Sequence, residues 1–361
     1  MKFLTHAARW LLCRPPLRRR IVSALAVLAI ATGGVSTTRP AWAPTAVEYA
    51  IALSVLIVAA LAVQSMKDYG SSPLAPPMSC PVFAGSGTTL GEDDCVWAKA
   101  AGLWTSQSGT NGKTALLRMG GQKEVAPDWF LGGAFGVGSH WTQDGNGAAG
   151  NGQLFDGSVA LKRTVGPWLF AGALAFASTS MHLTPASGGL TGDTNIYSGG
   201  LRLRGAYDFA FSGWYLRPRL DLDLVHTYRP GFQLSGPGAA GLGLTGLSVD
   251  SSSKTSFVAT PMLELGGRVD IGEQLVLRPY AAVGASFLPD NNSTMSATFA
   301  GPLASLGRFQ STSSGPSALV NVEAGLQLYK VRGLEVKAEY LLSAGDNYLS
   351  QGAGLRGAWH F

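Results

Sequence analysis

Charge is scarce in this 361-residue chain. Asp, Glu, Lys and Arg make up 14 % of it, against 46 % hydrophobic residues and 48 glycines. So apolar a composition excludes a disordered chain, and the glycines follow no collagen period. Histidine is sparse too, at five residues, and cysteine numbers only three. No zinc spacing, Gly-x-Ser-x-Gly elbow or dinucleotide fingerprint occurs. The stretch GTNGKT (109–114) lacks the first glycine of a phosphate loop, since position 107 is Gln107, and its Asn-Gly pair reads as a hairpin turn. From Cys95 onward no window is apolar enough for a transmembrane helix. No catalytic, cofactor or metal residue is assigned.

The formal charge of +5 misleads. Residues 1–43 hold seven Lys or Arg and no acid; without them 20 basic and 22 acidic residues remain, a net of −2. The basic balance therefore predicts no nucleic-acid partner. Residues 1–43 read as an export signal: the Arg18–Arg20 cluster precedes the apolar run Ile21–Ala31, and Ala41-Trp42-Ala43 supplies small residues for cleavage. Residues 44–94 read as an apolar helix followed by a linker. Tyr49–Val63 is a fifteen-residue apolar run broken only by Ser54, and residues 67–94 are rich in Pro, Gly and Ser. The word TAVEYAIALSVLIVAALAVQ (45–64) resembles the N-terminal helix of small Flp-type pilins. In an exported chain Cys80 and Cys95 form an even pair, so a disulfide tying the linker to the first strand is expected.

What the remainder does have is alternation. In YLRPRLDLDLVHTY (215–228), Leu216, Pro218, Leu220, Leu222 and Leu224 alternate with Arg217, Arg219, Asp221 and Asp223. Arg202, Arg204 and Asp208 alternate with Leu201, Leu203, Tyr207 and Phe209, and Glu264, Arg268 and Asp270 with Leu263, Leu265, Val269 and Ile271. In an extended strand such sets project to opposite faces. Twelve such runs fit residues 95–361, and most exceed the roughly 9–11 residues that cross a bilayer as a tilted strand. Tight turns follow the even-numbered runs. Long loops such as 184–194, 231–254 and 289–316 follow odd-numbered ones. A soluble sandwich has no reason for that asymmetry, whereas outer-membrane barrels have short turns at one end and long loops at the other. The expected fold is all-β: a twelve-stranded antiparallel transmembrane barrel over 95–361, in contact with outer-membrane lipid and monomeric. The charges Arg202, Arg204, Asp208, Arg217, Arg219, Asp221, Asp223, Glu264, Arg268 and Asp270 should face a polar lumen, because a lipid-facing charge costs about 2–4 kcal/mol at mid-bilayer. Leu355, Trp359 and Phe361 share one face of the last strand, opposite Arg356 and His360.

GWYLRPRLDLDLVHTY (213–228), CVWAKAAG (95–102), WFLGGAFGVGSH (129–140), LRPYAAVGASF (277–287) and the ending GAWHF resemble words of the autotransporter β-domain family. The resemblance spans residues 95–361. It implies a Gram-negative outer-membrane barrel of twelve strands, an upstream passenger carried to the cell surface, and a short luminal helix before the first strand. The terminal Leu355, Trp359 and Phe361 resemble the signal read by the barrel-assembly machinery. This chain departs from the pattern: cleavage after Ala43 leaves 51 residues before Cys95, which leaves no room for a large passenger. A translocator or surface-display barrel is expected, not an enzyme, with a porin-like channel or a loop-mediated adhesin as alternatives. His140, His182 and His226 fall near the outer strand ends, with Asp144 close to His140. They read as polar residues at the headgroup boundary, since only spacing links them into an Asp/His hydrolase site.

Overall fold

Alternation becomes wall. The computed structural model describes residues 79–184, 189–236, 246–272, 274–289, 291–330 and 332–361. The expected export signal and the apolar run 49–63 lie outside them. Among the described residues no helix is long and apolar enough to cross a membrane. The barrel does not need one.

Two three-residue strands come first, β1 (Pro81–Phe83) and β2 (Leu90–Glu92), paired as a hairpin. The wall follows in chain order: β3 (Cys95–Gln107), β4 (Thr110–Ala126), β5 (Trp129–Asp144), β6 (Ala149–Val165), β7 (Trp168–Thr184) and β8 (Gly192–Tyr207), which β9 (Phe209–Ala210) continues past a break at Asp208. After β10 (Trp214–Arg229) the chain leaves the wall for β11 (Phe232–Ser235) and β12 (Gly246–Val249). It returns as β13 (Ser252–Gly267), continued by β14 (Val269–Ile271), and β15 (Leu275–Phe287). A second excursion holds β16 (Asn292–Phe299), the 3-10 turn Gly301–Leu306 and β17 (Arg308–Ser314). Last come β18 (Ala318–Lys330), β19 (Leu334–Gly345) and β20 (Tyr348–His360).

Counting β8 with β9 and β13 with β14 gives twelve staves, every neighbour antiparallel, and β20 closes the circle on β3 from Tyr348↔Gln107 to His360↔Cys95. Closure leaves the wall no unpaired edge, which a bilayer requires. Most staves run 13–17 residues. The five connections at the turn end each contain a left-handed residue (Asp128, Gly166, Gly213, Gly272 and Arg332), which reverses the chain in two or three residues. The β3–β4 hairpin turns at Ser108-Gly109, both at positive φ. Asn111-Gly112, expected as the turn, is paired within the wall, because the strand starts earlier than its alternation suggested.

The burial pattern is inverted relative to a water-soluble protein. Leu, Val, Phe and Trp side chains such as Phe155, Leu174, Leu203, Leu265 and Leu355 are exposed, while Arg118, Asp156, Lys162, Glu264, Arg278 and Glu335 are buried. Aromatics cluster at the turn end of β7–β10: Trp168 packs on Phe170 and Tyr207, Tyr207 on Phe209, and Phe211 on Trp214, with centroids 4.0–5.7 Å apart. This is the interfacial girdle of a membrane barrel.

Three segments differ from the sequence reading. Residues 79–94 are not linker but a buried hairpin. The loops 231–254 and 289–316 carry strands among their described residues. Together β11, β12, β16 and β17 build a separate four-stranded antiparallel sheet at the loop end. Phe232, Leu234, Leu247, Val249, Met295, Ala297 and Phe299 of this sheet form one core with the inward-facing Leu154, Ala177, Met181, Leu183 and Ile196 of β6–β8. The sheet thus caps the β6–β8 side of the mouth.

Candidate functional site

The lumen and the hairpin inside it form the candidate site. Period two places every charge of the 215–228 stretch inward. Arg202 on β8 meets Asp223 on β10 through Nε–Oδ1 at 2.5 Å and Nη2–Oδ2 at 2.6 Å. Arg204 meets Asp221 the same way, both contacts at 2.6 Å. These are forks on carboxylates, set by the registers Arg202↔Asp223 and Arg204↔Asp221. Arg217 Nε lies 3.1 Å from Asp208 Oδ1, and Arg219 Nη2 donates to Glu323 at 2.5 Å, with Glu264 3.6 Å from Nη1. Arg268 and Asp270 pair 2.9 Å apart at the turn end, where the strand breaks between β13 and β14; there Arg268 faces the hairpin and Asp270 is exposed.

Other groups sequence reasoning did not single out. Arg278 on β15 donates to Glu264 (2.5 Å), to the Tyr215 hydroxyl (2.7 Å) and to Gln327 (2.8 Å). The Tyr215 hydroxyl donates in turn to Glu264 at 2.5 Å. Arg118 on β4 holds Asp156 on β6 at 2.6 Å. Lys99 and Lys337 both bind Glu339. Parity with Tyr280 was the available signal for Arg278, since residues two apart on a strand share a face.

The hairpin is anchored around the whole inner circumference. A disulfide joins Cys80 to Cys95, the first residue of β3, with Cα atoms 6.4 Å apart. Arg356 on β20 donates to Ser79 O at 2.6 Å, and Gln327 on β18 to Pro81 O at 2.9 Å. The Phe83 amide reaches the Tyr329 hydroxyl (2.9 Å) and the Leu90 amide Asp208 (3.0 Å). Arg268 grips the turn at Gly85 O (2.6 Å) and Gly87 O (2.9 Å). Lys162 on β6 binds Glu92 at 2.5 Å, and Gln122 on β4 donates to the same carboxylate at 2.9 Å. His360 sits between Asp93 (3.0 Å) and Glu335 (2.9 Å). Phe83 and Leu90 pack with Tyr215, Val276 and Tyr329. Burial pushes the Glu92 carboxyl up. The Lys162 ammonium and hydrogen bonds from Gln122 and Ser79 outweigh burial and hold it below its ordinary range. The chain upstream of β3 is thus plugged into the turn end as a hairpin, where the resemblance implied a helix.

The three rim histidines are not brought together. His140 is buried on the inner face against Thr114 (2.9 Å). His182 and His226 lie on the outer face, with Asp193 (2.8 Å) and Thr255 (2.9 Å) as partners. No cluster of metal-ligating side chains occurs among the described residues. Leu355, Trp359 and Phe361 are exposed on the outer face and Arg356 and His360 point inward.

Comparison with known proteins gives one family. Residues 96–340 match the family described as autotransporter beta-domain. No curated protein matches. Among solved structures, the translocator domain of autotransporter NalP from Neisseria meningitidis superposes with a TM-score of 0.66 at 13 % identity, covering 86 % of this chain and 100 % of that one. The β domain of the Bordetella autotransporter BrkA gives 0.52 at 19 %, over 75 % and 100 %. The transport unit of AIDA-I from Escherichia coli gives 0.52 at 12 %, over 81 % and 97 %.

Proposed function

The chain belongs to the autotransporter β-domain family, whose members are translocator barrels of the bacterial outer membrane, and from that premise we propose how this one works. It is exported across the inner membrane of a Gram-negative cell and folded by the barrel-assembly machinery, which reads Leu355, Trp359 and Phe361. It acts as a monomer that displays its upstream segment, and it is not an enzyme.

One observation carries this reading. The chain immediately before the wall lies inside the lumen, with Ser79 held by Arg356 and Cys80 bonded to Cys95. A segment that leads from a luminal plug is placed to pass through the barrel. The test uses intact cells carrying an epitope at about position 70, after heat-modifiable migration has located the protein in the outer membrane. External protease should remove the epitope. A protected epitope would place the segment in the periplasm or lumen and overturn display. The ordered outer sheet favours a second reading, adhesion. If that is the role, deleting residues 237–245 should reduce binding to host or abiotic surfaces, and unchanged binding would discard it.

A further inference from the structure

Above the plug the lumen keeps a cavity of about 180 Å³. Its wall bears eight Lys or Arg side chains and three carboxylates. Aspartates supply some of the missing countercharge from behind: Asp156 takes Arg118 and Asp208 takes Arg217, and neither lines the cavity. A second space of about 240 Å³ shares Leu103, Arg204, Arg219, Glu323 and Leu341 with the first and reaches Asn291, Gly315 and Pro316 at the loop-end mouth. The two form one shaft, with Ser79 and Pro81 of the plug at its floor. It runs on the side of the barrel away from the sheet that caps β6–β8.

One corner of this shaft has unbalanced charge. Lys99 on β3 and Lys337 on β19 share a single carboxylate, Glu339. By contrast Arg219 and Arg278 share two, Glu264 and Glu323. The cavity opens beside these lysines, and Gly354 of β20 leaves Lys99 and Glu339 room to lie against the wall. At Gly354 a Cβ would lie 3.0 Å from Lys99 Cε and 3.5 Å from Glu339 Cγ. Lys337 also lies over the Tyr280 ring, 5.2 Å from its centroid. Ammonium and guanidinium groups fixed in a low-dielectric recess attract small oxyanions strongly, because they need little reorganisation to bind them.

We infer that this shaft is a binding site for a small multivalent oxyanion, a phosphate or a polycarboxylate, entering from the loop end and held between Lys99 and Lys337. The inference does not require that the upstream segment be displayed.

The test is calorimetry on the full chain in detergent micelles, titrated with inorganic phosphate and separately with citrate at constant ionic strength. At least one should bind saturably. Lys337→Gln should weaken that binding at least about tenfold, while Lys113→Gln on the outer wall leaves it unchanged. Glu339→Gln, which removes the competing carboxylate, should tighten it. Heat-modifiable migration verifies that each variant is folded. No saturable binding of either anion, or equal affinity in the Lys337 and Glu339 variants, would overturn the site.

Discussion

Arg202 and Arg204 stand two residues apart on β8 and so enter the lumen together, opposite Asp223 and Asp221. Each pair is buried and forked. Removing one partner leaves a charge with poor solvation, at a cost of about 3–5 kcal/mol, whereas removing both can be nearly neutral. Asp223→Ala should therefore lower the urea midpoint of the folded gel band markedly, and Arg202→Met with Asp223→Leu should recover most of the loss. A double variant no better than the single one would show that these pairs do not brace the wall. Glycine matters where a ring crosses it: a Cβ at Gly266 would lie 2.2 Å from the Tyr215 hydroxyl oxygen. Gly266→Ala should displace Tyr215 from Glu264 and Arg278 and destabilise the barrel by about 1–3 kcal/mol, read from the same midpoint. Glu92 gives the acid response of the plug. Its carboxyl is held below the ordinary value of 4.5, so its stabilisation is fully present above that pH and is lost as pH falls through the depressed value. Protease release of residues 79–94 should rise on that acid side in the native chain, and Glu92→Gln should flatten the dependence.

At the scale of elements, the wall was legible and the plug was not. Twelve runs could be read because a bilayer outside and charges inside impose opposite chemistry on successive residues. Leu216 to Leu224 carries that signature over nine residues. The plug has only PVF and LGE, too short to show a period, and its Pro, Gly and Ser content reads as linker. Its order comes from partners far along the chain, such as Tyr329 and Asp208, which no local pattern reports. Cys80 was the one visible signal. The outer sheet was missed for a similar reason. Leu247 and Val249 alternate, as do Met295, Ala297 and Phe299, but each pattern is brief and the two segments pair across about fifty residues of sequence. The core shared with β6–β8 should fix this sheet. Phe299→Ala would open a cavity worth about 3–5 kcal/mol, enough to free the sheet without unfolding the barrel. External trypsin should then cut at Arg308 of β17 while heat-modifiable migration persists; resistance equal to the native chain would mean that the sheet does not depend on this packing.

For the whole molecule, the two elements hidden from sequence reasoning decide what the barrel can pass. Charges line the lumen and would keep it wet, which alone would favour a channel. The hairpin opposes that at the turn end, fastened by a disulfide and by hydrogen bonds to β4, β6, β18 and β20. The sheet narrows the loop end on one side only. Resistance to ion flow should therefore be concentrated at the plug. A disulfide closing a loop of about fifteen residues contributes about 3 kcal/mol, yet it sits at one edge of a hairpin held on every side. Reduction alone should leave the conductance of the native chain in planar bilayers low. Deleting residues 44–94, with Cys95→Ser to avoid a free thiol, should raise it in discrete steps. If reduction opens the pore as fully as the deletion, the hydrogen bonds around the circumference hold little and the disulfide is the latch. If neither change opens it, the constriction lies at the sheet, and removing β11, β12, β16 and β17 should open it instead.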